Sequence, residues 1–313
     1  NHDEVMLMDY ISIKEASENW GISDSRIRLL CREGRIEGAV KIGRNWAIPV
    51  CATKPIDGRE TINKKYFGLE YDFGAIDSLK KRIDQYRPFS KQLAASLHEK
   101  LVVEWTYNSN ALEGNTLTMS ETKVVLEGIT VGGKTIVEHL ETINHRDAIL
   151  FIEDLVANKE PITEWNIRNI HSVILKEIDN KNAGKYRAEN VVISGAKQVP
   201  PKHYEITTLM QELVEEYHNN WTDYHPVVRA TLLHGEFVKI HPFIDGNGRT
   251  ARLLSNFELM RSGYVPIIIK NEDRAKYYDV LDIAHTTTNY EPFIRLVSEL
   301  VLESEELWLS VLE

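Results

Sequence analysis

From Asp72 to the end of the chain, apolar residues recur three and four positions apart in long runs, the period of one buried helix face. The pattern predicts ten helices: Leu79 to Tyr86, Lys91 to Asn108, Ser120 to Gly128, Ile136 to Asn158, Glu164 to Ile178, Tyr204 to Asn219, Pro226 to Ile240, Arg249 to Ser262, Asp273 to Thr286 and Glu291 to Leu312. One stretch breaks the period. Between Asn190 and Pro201, Val191, Val192 and Ile193 are followed by Ser194-Gly195-Ala196 and then Gln198-Val199, which predicts a β-hairpin ending at Pro200-Pro201. No internal repeat appears.

The first 52 residues read differently. Ser12 with Glu15 three positions on is a capping box that opens a short helix through Ala16 to Trp20, closed by Gly21. Ser23 or Asp24 caps a second helix that turns Ile27, Leu30 and Cys31 inward and leaves Arg26, Arg28 and Arg32 on the other face until Gly34. Val40 and Ile42 alternating with Lys41, a turn at Gly43-Arg44-Asn45, and Trp46-Ala47-Ile48 predict a small hairpin. Residues Tyr10 to Pro49 resemble the winged helix-turn-helix of excisionase-like and MerR-like DNA-binding domains, in which the second helix enters the major groove and the wing touches backbone. That resemblance implies duplex DNA as a partner, with Arg26, Arg28, Arg32, Lys41 and Arg44 as its contacts. A docking domain with solvated arginines is the alternative. Residues 53–71 lose hydrophobic periodicity and gather turn residues, so they read as a linker between residues 1–52 and a second domain, residues 72–313.

Composition narrows the classes. The 313 residues suit two domains, and 42% hydrophobic with 27% charged residues is ordinary globular usage, which excludes disordered and fibrous chains. The net charge of −10 argues against a chain that coats nucleic acid or membrane with its whole surface. Residues 1–58 carry 8 basic and 9 acidic side chains, so residues 59–313 hold the remaining 29 and 38. Within Arg26 to Arg44, however, six basic residues face only Glu33 and Glu37, a local patch of +4. No apolar run approaches the roughly 18 to 20 residues of a membrane span, and the acidic start is unlike a secretory signal, so a cytoplasmic, membrane-free protein is expected. Cys31 and Cys51 lack any CxxC or CxxH partner, so neither a disulfide framework nor a cysteine-held zinc is expected.

Candidate chemistry concentrates between His241 and Arg252. An apolar helix runs into His241-Pro242-Phe243-Ile244-Asp245-Gly246-Asn247-Gly248-Arg249-Thr250-Ala251-Arg252, and another runs out of it. A helix start presents unpaired N–H groups and the positive end of a dipole, and Gly246 and Gly248 let a phosphate approach them. Asp245 can hold a hard cation such as Mg²⁺, Arg249 and Arg252 offer planar forks to phosphate oxygens, and His241 can take a proton near neutrality.

Nine specified residues in these twelve, the second-position proline included, fit the signature HxFx(D/E)GNGRxxR, and most of residues 72–313 resembles the Fic family. The likeness includes Gly184-Lys185-Tyr186-Arg187, the Val191 to Pro201 stretch and Arg274-Ala275-Lys276-Tyr277-Tyr278. It implies a mostly α protein, a Fic-type helical domain with a β-hairpin flap, that moves AMP from ATP to a Ser, Thr or Tyr hydroxyl of a target protein. His241 would be the base and Asp245 the Mg²⁺ ligand. Gly246, Asn247 and Gly248 would form the anion hole, Arg249 would hold the α/β-phosphates and Arg252 the γ-phosphate. Tyr277 and Tyr278 would line the adenine pocket. His285 stands where relatives often have asparagine, which leaves adenine selectivity open. Val191, Val192 and Ile193 would align the target by strand addition. Relatives often dimerise, so the family implies a homodimer or a monomer without choosing.

Ser109-Asn110-Ala111-Leu112-Glu113-Gly114 fits the (S/T)xxxE(G/N) inhibitory motif of the Fic class with an N-terminal inhibitory helix. Ser109 and Glu113 share a helix face, and Glu113 would pair with Arg252 and withdraw it from the γ-phosphate. The chain then reads as a self-inhibited AMP-transferase. Two alternatives stand beside it: a site run in reverse to remove AMP, and a DNA-binding regulator whose Fic domain senses nucleotide.

Overall fold

A computed structural model describes residues 10–20, 24–32, 35–36, 38–43, 45–50, 52–53, 72–193 and 195–313, except the side chains of residues 25, 26, 29 and 91–94. The chain divides into two compact units, residues 1–61 and 62–313. The expected linker lies largely outside the described residues, as do Gly21, Ser23, Gly34, Arg44, Cys51, Ser194 and the side chain of Arg26.

In the first unit, strand β1 (Tyr10–Ser12) leads directly into α1 (Ile13–Trp20), followed by α2 (Asp24–Arg32), β2 (Val40–Ile42) and β3 (Asn45–Pro49). Ser12 and Glu15 do form a reciprocal box: the Ser12 N–H donates to Glu15 Oε2 at 2.7 Å and the Glu15 N–H to Ser12 Oγ at 3.2 Å. The sheet has the order β1-β3-β2, both pairs antiparallel, with Ile11 opposite Ile48 and Lys41 opposite Trp46. The β1 pairing carries no turn signal in the sequence, because it joins segments more than thirty residues apart. Ile13, Ala16, Ile27, Leu30, Cys31, Ile36 and Ile48 form a closed core. Arg28, Arg32 and Lys41 are exposed.

The second unit is helical: α3 (Gly74–Asp84), α4 (Lys91–Leu112), α5 (Met119–Leu126), α6 (Ile136–Ala157), α7 (Glu164–Ile174), α8 (Ile206–Asn219), α9 (Pro226–Ile240), α10 (Asn247–Arg261), α11 (Arg274–Thr287) and α12 (Glu291–Leu312). Thr118 and Thr135 open α5 and α6 with capping boxes. Helices α9 and α10 pack together at the centre, burying Leu232, Leu233, Phe237, Leu253, Leu254 and Phe257 completely. Packing α9 and α10 this way places the short connection between them at one end of the core.

Residues 190–200 depart from the expected hairpin. Among the described residues this stretch has no strand pairing; it is irregular, with a turn where the Ala196 N–H meets Ile193 O at 3.3 Å. A side chain of the stretch ties it to α9 instead: Gln198 Nε2 donates to the Lys239 carbonyl at 2.9 Å. Val192 is 92% exposed, and nothing within the unit covers it.

Candidate active site

Helix α9 ends at Ile240, and His241 follows in the left-handed conformation, φ 52° and ψ 59°. For a residue with a Cβ this is a strained position that persists only when its surroundings fix it. The His241 N–H caps α9 on Phe237 O at 3.0 Å, and its carbonyl accepts from Arg187 Nε at 2.8 Å. Asn247 closes the loop on itself: its Oδ1 accepts from the Phe243 N–H at 3.0 Å and its Nδ2 donates to Phe243 O at 2.9 Å.

Beneath the loop lies His171 of α7, stacked on Phe243 with centroids 3.6 Å apart and planes 3° from parallel. Its Nδ1 accepts from the Gly184 N–H at 2.9 Å, so Nε2 carries the proton and donates to Asp245 O at 2.9 Å. Burial pushes its pKa down to about 4, which keeps this bridge neutral. Gly246, at φ +76°, packs so closely that a Cβ there would lie 3.3 Å from the His171 ring. Glycine is favoured on both counts.

Helix α10 then begins, and its first N–H groups have no partner within the helix. Glu113 stands over that end. It lies just past α4, where Gly114 turns the chain at φ +100°. Its Oε1 is 2.7 Å from Arg252 Nη2 and would lie 2.3 Å from a Cβ built on Gly248. The same Arg252 donates from Nε to Ser109 Oγ at 3.0 Å and from Nη2 to Ser109 O at 2.8 Å. Burial would raise the Glu113 pKa, but the guanidinium of Arg252, with Arg249 and Arg274 beyond it, holds the carboxyl below its ordinary value. A carboxylate thus occupies the anion-favouring end of α10. Arg249, also buried, pairs with Glu141 Oε1 at 3.0 Å and more loosely with Asp245 Oδ2 at 3.4 Å.

A cavity of about 440 Å³ opens above these groups, with His241, Gly248, Arg252, Tyr278, Gln198 and Asp282 in its walls. Burial lowers the His241 pKa to about 4; the Val238 carbonyl, Glu113 and Asp245 oppose that shift and Arg187 adds to it. Tyr277 is fully buried with its hydroxyl 2.8 Å from His234 Nε2, and the half-exposed Tyr278 donates to Leu112 O at 3.3 Å. His285 also lines this cavity, with its Nε2 held on Gly235 O at 3.0 Å. Asp245 keeps a largely exposed carboxylate. Among the described residues no three His, Cys, Asp or Glu side chains are grouped to hold a metal. One exposed carboxylate is nevertheless enough for Mg²⁺ when phosphates and water supply the other oxygens.

The sequence profile of the Fic/DOC family matches residues 161–259, the span from α7 through α10. A Fic domain containing signaling protein from Bacteroides thetaiotaomicron is 33% identical, with a TM-score of 0.69 over 76% of this chain and 97% of that one. The chain belongs to the Fic/DOC family. Fic-1 of C. elegans (its residues 134–508) is 28% identical, with a TM-score of 0.68 over 81% of this chain and 73% of that one. The Protein adenylyltransferase Fic of Drosophila willistoni is 38% identical over 205 residues, 65% of this chain and 41% of the fly protein. That of Drosophila ananassae is 35% identical over 239 residues, 75% and 47% respectively. The chain therefore spans less than half the length of these fly relatives.

In this Fic domain, His241, Gly248, Arg252, Tyr277 and Tyr278 share one cavity with Glu113 and Ile193. Val191 and Val192 do not line it. Three residues that place the site escaped the sequence reading. His171 carries the Fic loop, Glu141 holds Arg249, and His234 fixes Tyr277. A lone histidine or glutamate on an amphipathic helix has no spacing signal that would single it out.

Gly248 allows a direct check of how crowded this helix end is. Gly248→Ala places a methyl in the volume of the Glu113 carboxylate and of any bound phosphate. The variant should lose the Glu113–Arg252 contact without gaining nucleotide affinity; calorimetry with ATP should show binding weakened about tenfold or more.

Proposed function

We propose that this Fic domain is a self-inhibited protein adenylyltransferase that transfers AMP from ATP to a Ser, Thr or Tyr hydroxyl of a target protein. The observation that carries the reading is that a neutral His241, the start of α10 and Arg252 all face one cavity, with Glu113 lying on the arginine. The relatives named protein adenylyltransferase support ATP as the substrate.

In this reading His241 removes the proton from the target hydroxyl as its oxygen bonds to the α-phosphorus. The bond to the β-phosphate oxygen breaks, and pyrophosphate leaves. The N–H groups of Asn247 and Gly248, with Arg249, carry the charge that develops on the phosphates, and Arg252 holds the γ-phosphate once Glu113 releases it. Asp245 would hold Mg²⁺ against the phosphates, where the ion neutralises charge on them. The stretch through Val191, Val192 and Ile193, which pairs with no strand among the described residues, would offer its backbone to a target segment.

The low pKa of His241 fixes the sign of the pH response. Its neutral form persists down to about pH 4, so transfer should be insensitive to pH from about 6 to 8 and fall as pH drops through about 4 to 5. Rates of AMP transfer by the Glu113→Gly variant measure this. An acid limb near pH 6.5 would mean an ordinary solvated histidine and contradict the buried geometry.

The first unit supports a second reading, duplex DNA binding, through the exposed Arg28 and Arg32 of α2 and Lys41 of β2. The full chain should then bind duplex with log affinity falling linearly in log salt, with a slope of about −3 to −5. Arg28→Glu with Arg32→Glu should abolish the binding. A salt-insensitive or absent signal would return the unit to protein docking.

A further inference from the structure

Arg187 is 97% shielded from solvent, yet among the described residues no carboxylate pairs with it. Instead it gathers backbone carbonyls. Nε donates to His241 O at 2.8 Å, Nη1 to Glu189 O at 2.8 Å and Nη2 to Pro201 O at 2.6 Å, while its own N–H donates to Pro242 O at 2.9 Å. Glu189 and Pro201 are the two roots of the irregular stretch that borders the cavity. One planar group thus ties both roots to the carbonyl of the left-handed histidine.

We propose that Arg187 is a positioning residue that couples the 190–200 stretch to His241, so that seating a target segment on that stretch and orienting the base are one event. The proposal rests on the adenylyltransferase reading above. Among the described residues the stretch has no ladder of its own, and its remaining ties to the body are few. Asn190 Oδ1 accepts from the His203 N–H at 3.0 Å, and Gln198 Nε2 reaches Lys239 O, two residues before His241. The stretch and the end of α9 are therefore joined twice, and the guanidinium is the joint that touches the base itself.

The chemistry explains why arginine serves here. Three donors fixed in one plane can meet three carbonyls that lie in different directions. A lysine ammonium would keep the charge but reach one or two of them. The charge has a second effect. Arg187 helps to keep His241 neutral against Glu113 at the end of α4, Asp245 in the loop and the Val238 carbonyl of α9, with His285 of α11 in the same cavity.

The test uses the full chain carrying Glu113→Gly, with Arg187→Lys and Arg187→Gln added singly. The His241 ring signal, assigned by its loss in His241→Ala, is titrated by NMR. Amide exchange is followed across residues 189–201 and, as a control, across α9 and α10. With Arg187→Gln, the His241 titration should move upward from about 4 and exchange in 189–201 should speed up about tenfold or more, with the helices unchanged. Arg187→Lys should speed exchange while leaving the titration near its starting point, a split that a merely structural role would not produce. In activity, both should raise the KM for the target protein and lower kcat, with ATP affinity within about twofold of the parent. Because the titration and the exchange need no turnover, an inactive Glu113→Gly parent would sink the functional reading and leave this proposal open to both readouts. An unchanged titration and unchanged exchange in Arg187→Gln would overturn it, and so would uniformly faster exchange throughout the helices in both variants.

Discussion

Replacing Glu113 by glycine should raise AMP transfer about tenfold or more. The carboxylate does two things at once in the resting chain. It neutralises Arg252 at 2.7 Å, and it fills the space over Gly248 that a phosphate at the start of α10 would occupy. Either effect alone would weaken productive ATP binding. A tenfold gain corresponds to about 1.4 kcal/mol of inhibitory coupling, well inside the usual range for coupled sites. The same substitution removes the carboxylate from the buried Arg252 guanidinium while its bonds to Ser109 remain, a poorly compensated charge that lowers stability. ATP with Mg²⁺ should therefore raise the melting temperature of Glu113→Gly more than that of the parent chain. Ser109→Ala, which removes a single bond to Arg252 Nε, should activate to a smaller extent. Equal rates for Glu113→Gly and the parent would show that the Glu113–Arg252 contact does not restrain the site.

Removing the imidazole has the other large effect. His241→Ala in the Glu113→Gly background should lower transfer by about 10² to 10⁴, the usual contribution of a positioned general base. ATP affinity should stay within about twofold, because the phosphate contacts come from α10 and its arginines. Asp245→Ala should act differently, leaving nucleotide binding measurable but removing its dependence on Mg²⁺. Calorimetry on the two variants separates the roles. A loss of ATP affinity in His241→Ala as severe as its loss of activity would reassign His241 to binding.

Much of this architecture is legible along the chain, for local reasons. Helices α9 and α12 run over the residues that their apolar period marks, and α4 runs four residues beyond its expected end at Asn108, to Leu112, so that Ser109 is helical and Glu113 stands just past the last turn. The Ser109–Glu113 spacing and Arg252 in α10 could be linked only through the family resemblance, since 139 residues separate Glu113 from Arg252. What stays hidden is long-range and carried by single side chains. His171 reaches Asp245 across 74 residues, and Arg187 reaches His241 across 54. The 190–200 stretch shows the opposite error. Its β-branched residues around a glycine turn read as a hairpin, yet Arg187 holds the carbonyls of Glu189 and Pro201 at its two roots and Gln198 ties it to Lys239, so no ladder is needed to hold it.

The central claim, AMP transfer by a site that Glu113 restrains, is tested most directly by incubating Glu113→Gly with ATP labelled at the α-phosphate and, in parallel, at the γ-phosphate. The account predicts covalent protein labelling from the α-label alone, much weaker labelling with the parent chain, and none when His241→Ala is added. Labelling from the γ-phosphate, or α-labelling that survives His241→Ala undiminished, would contradict it.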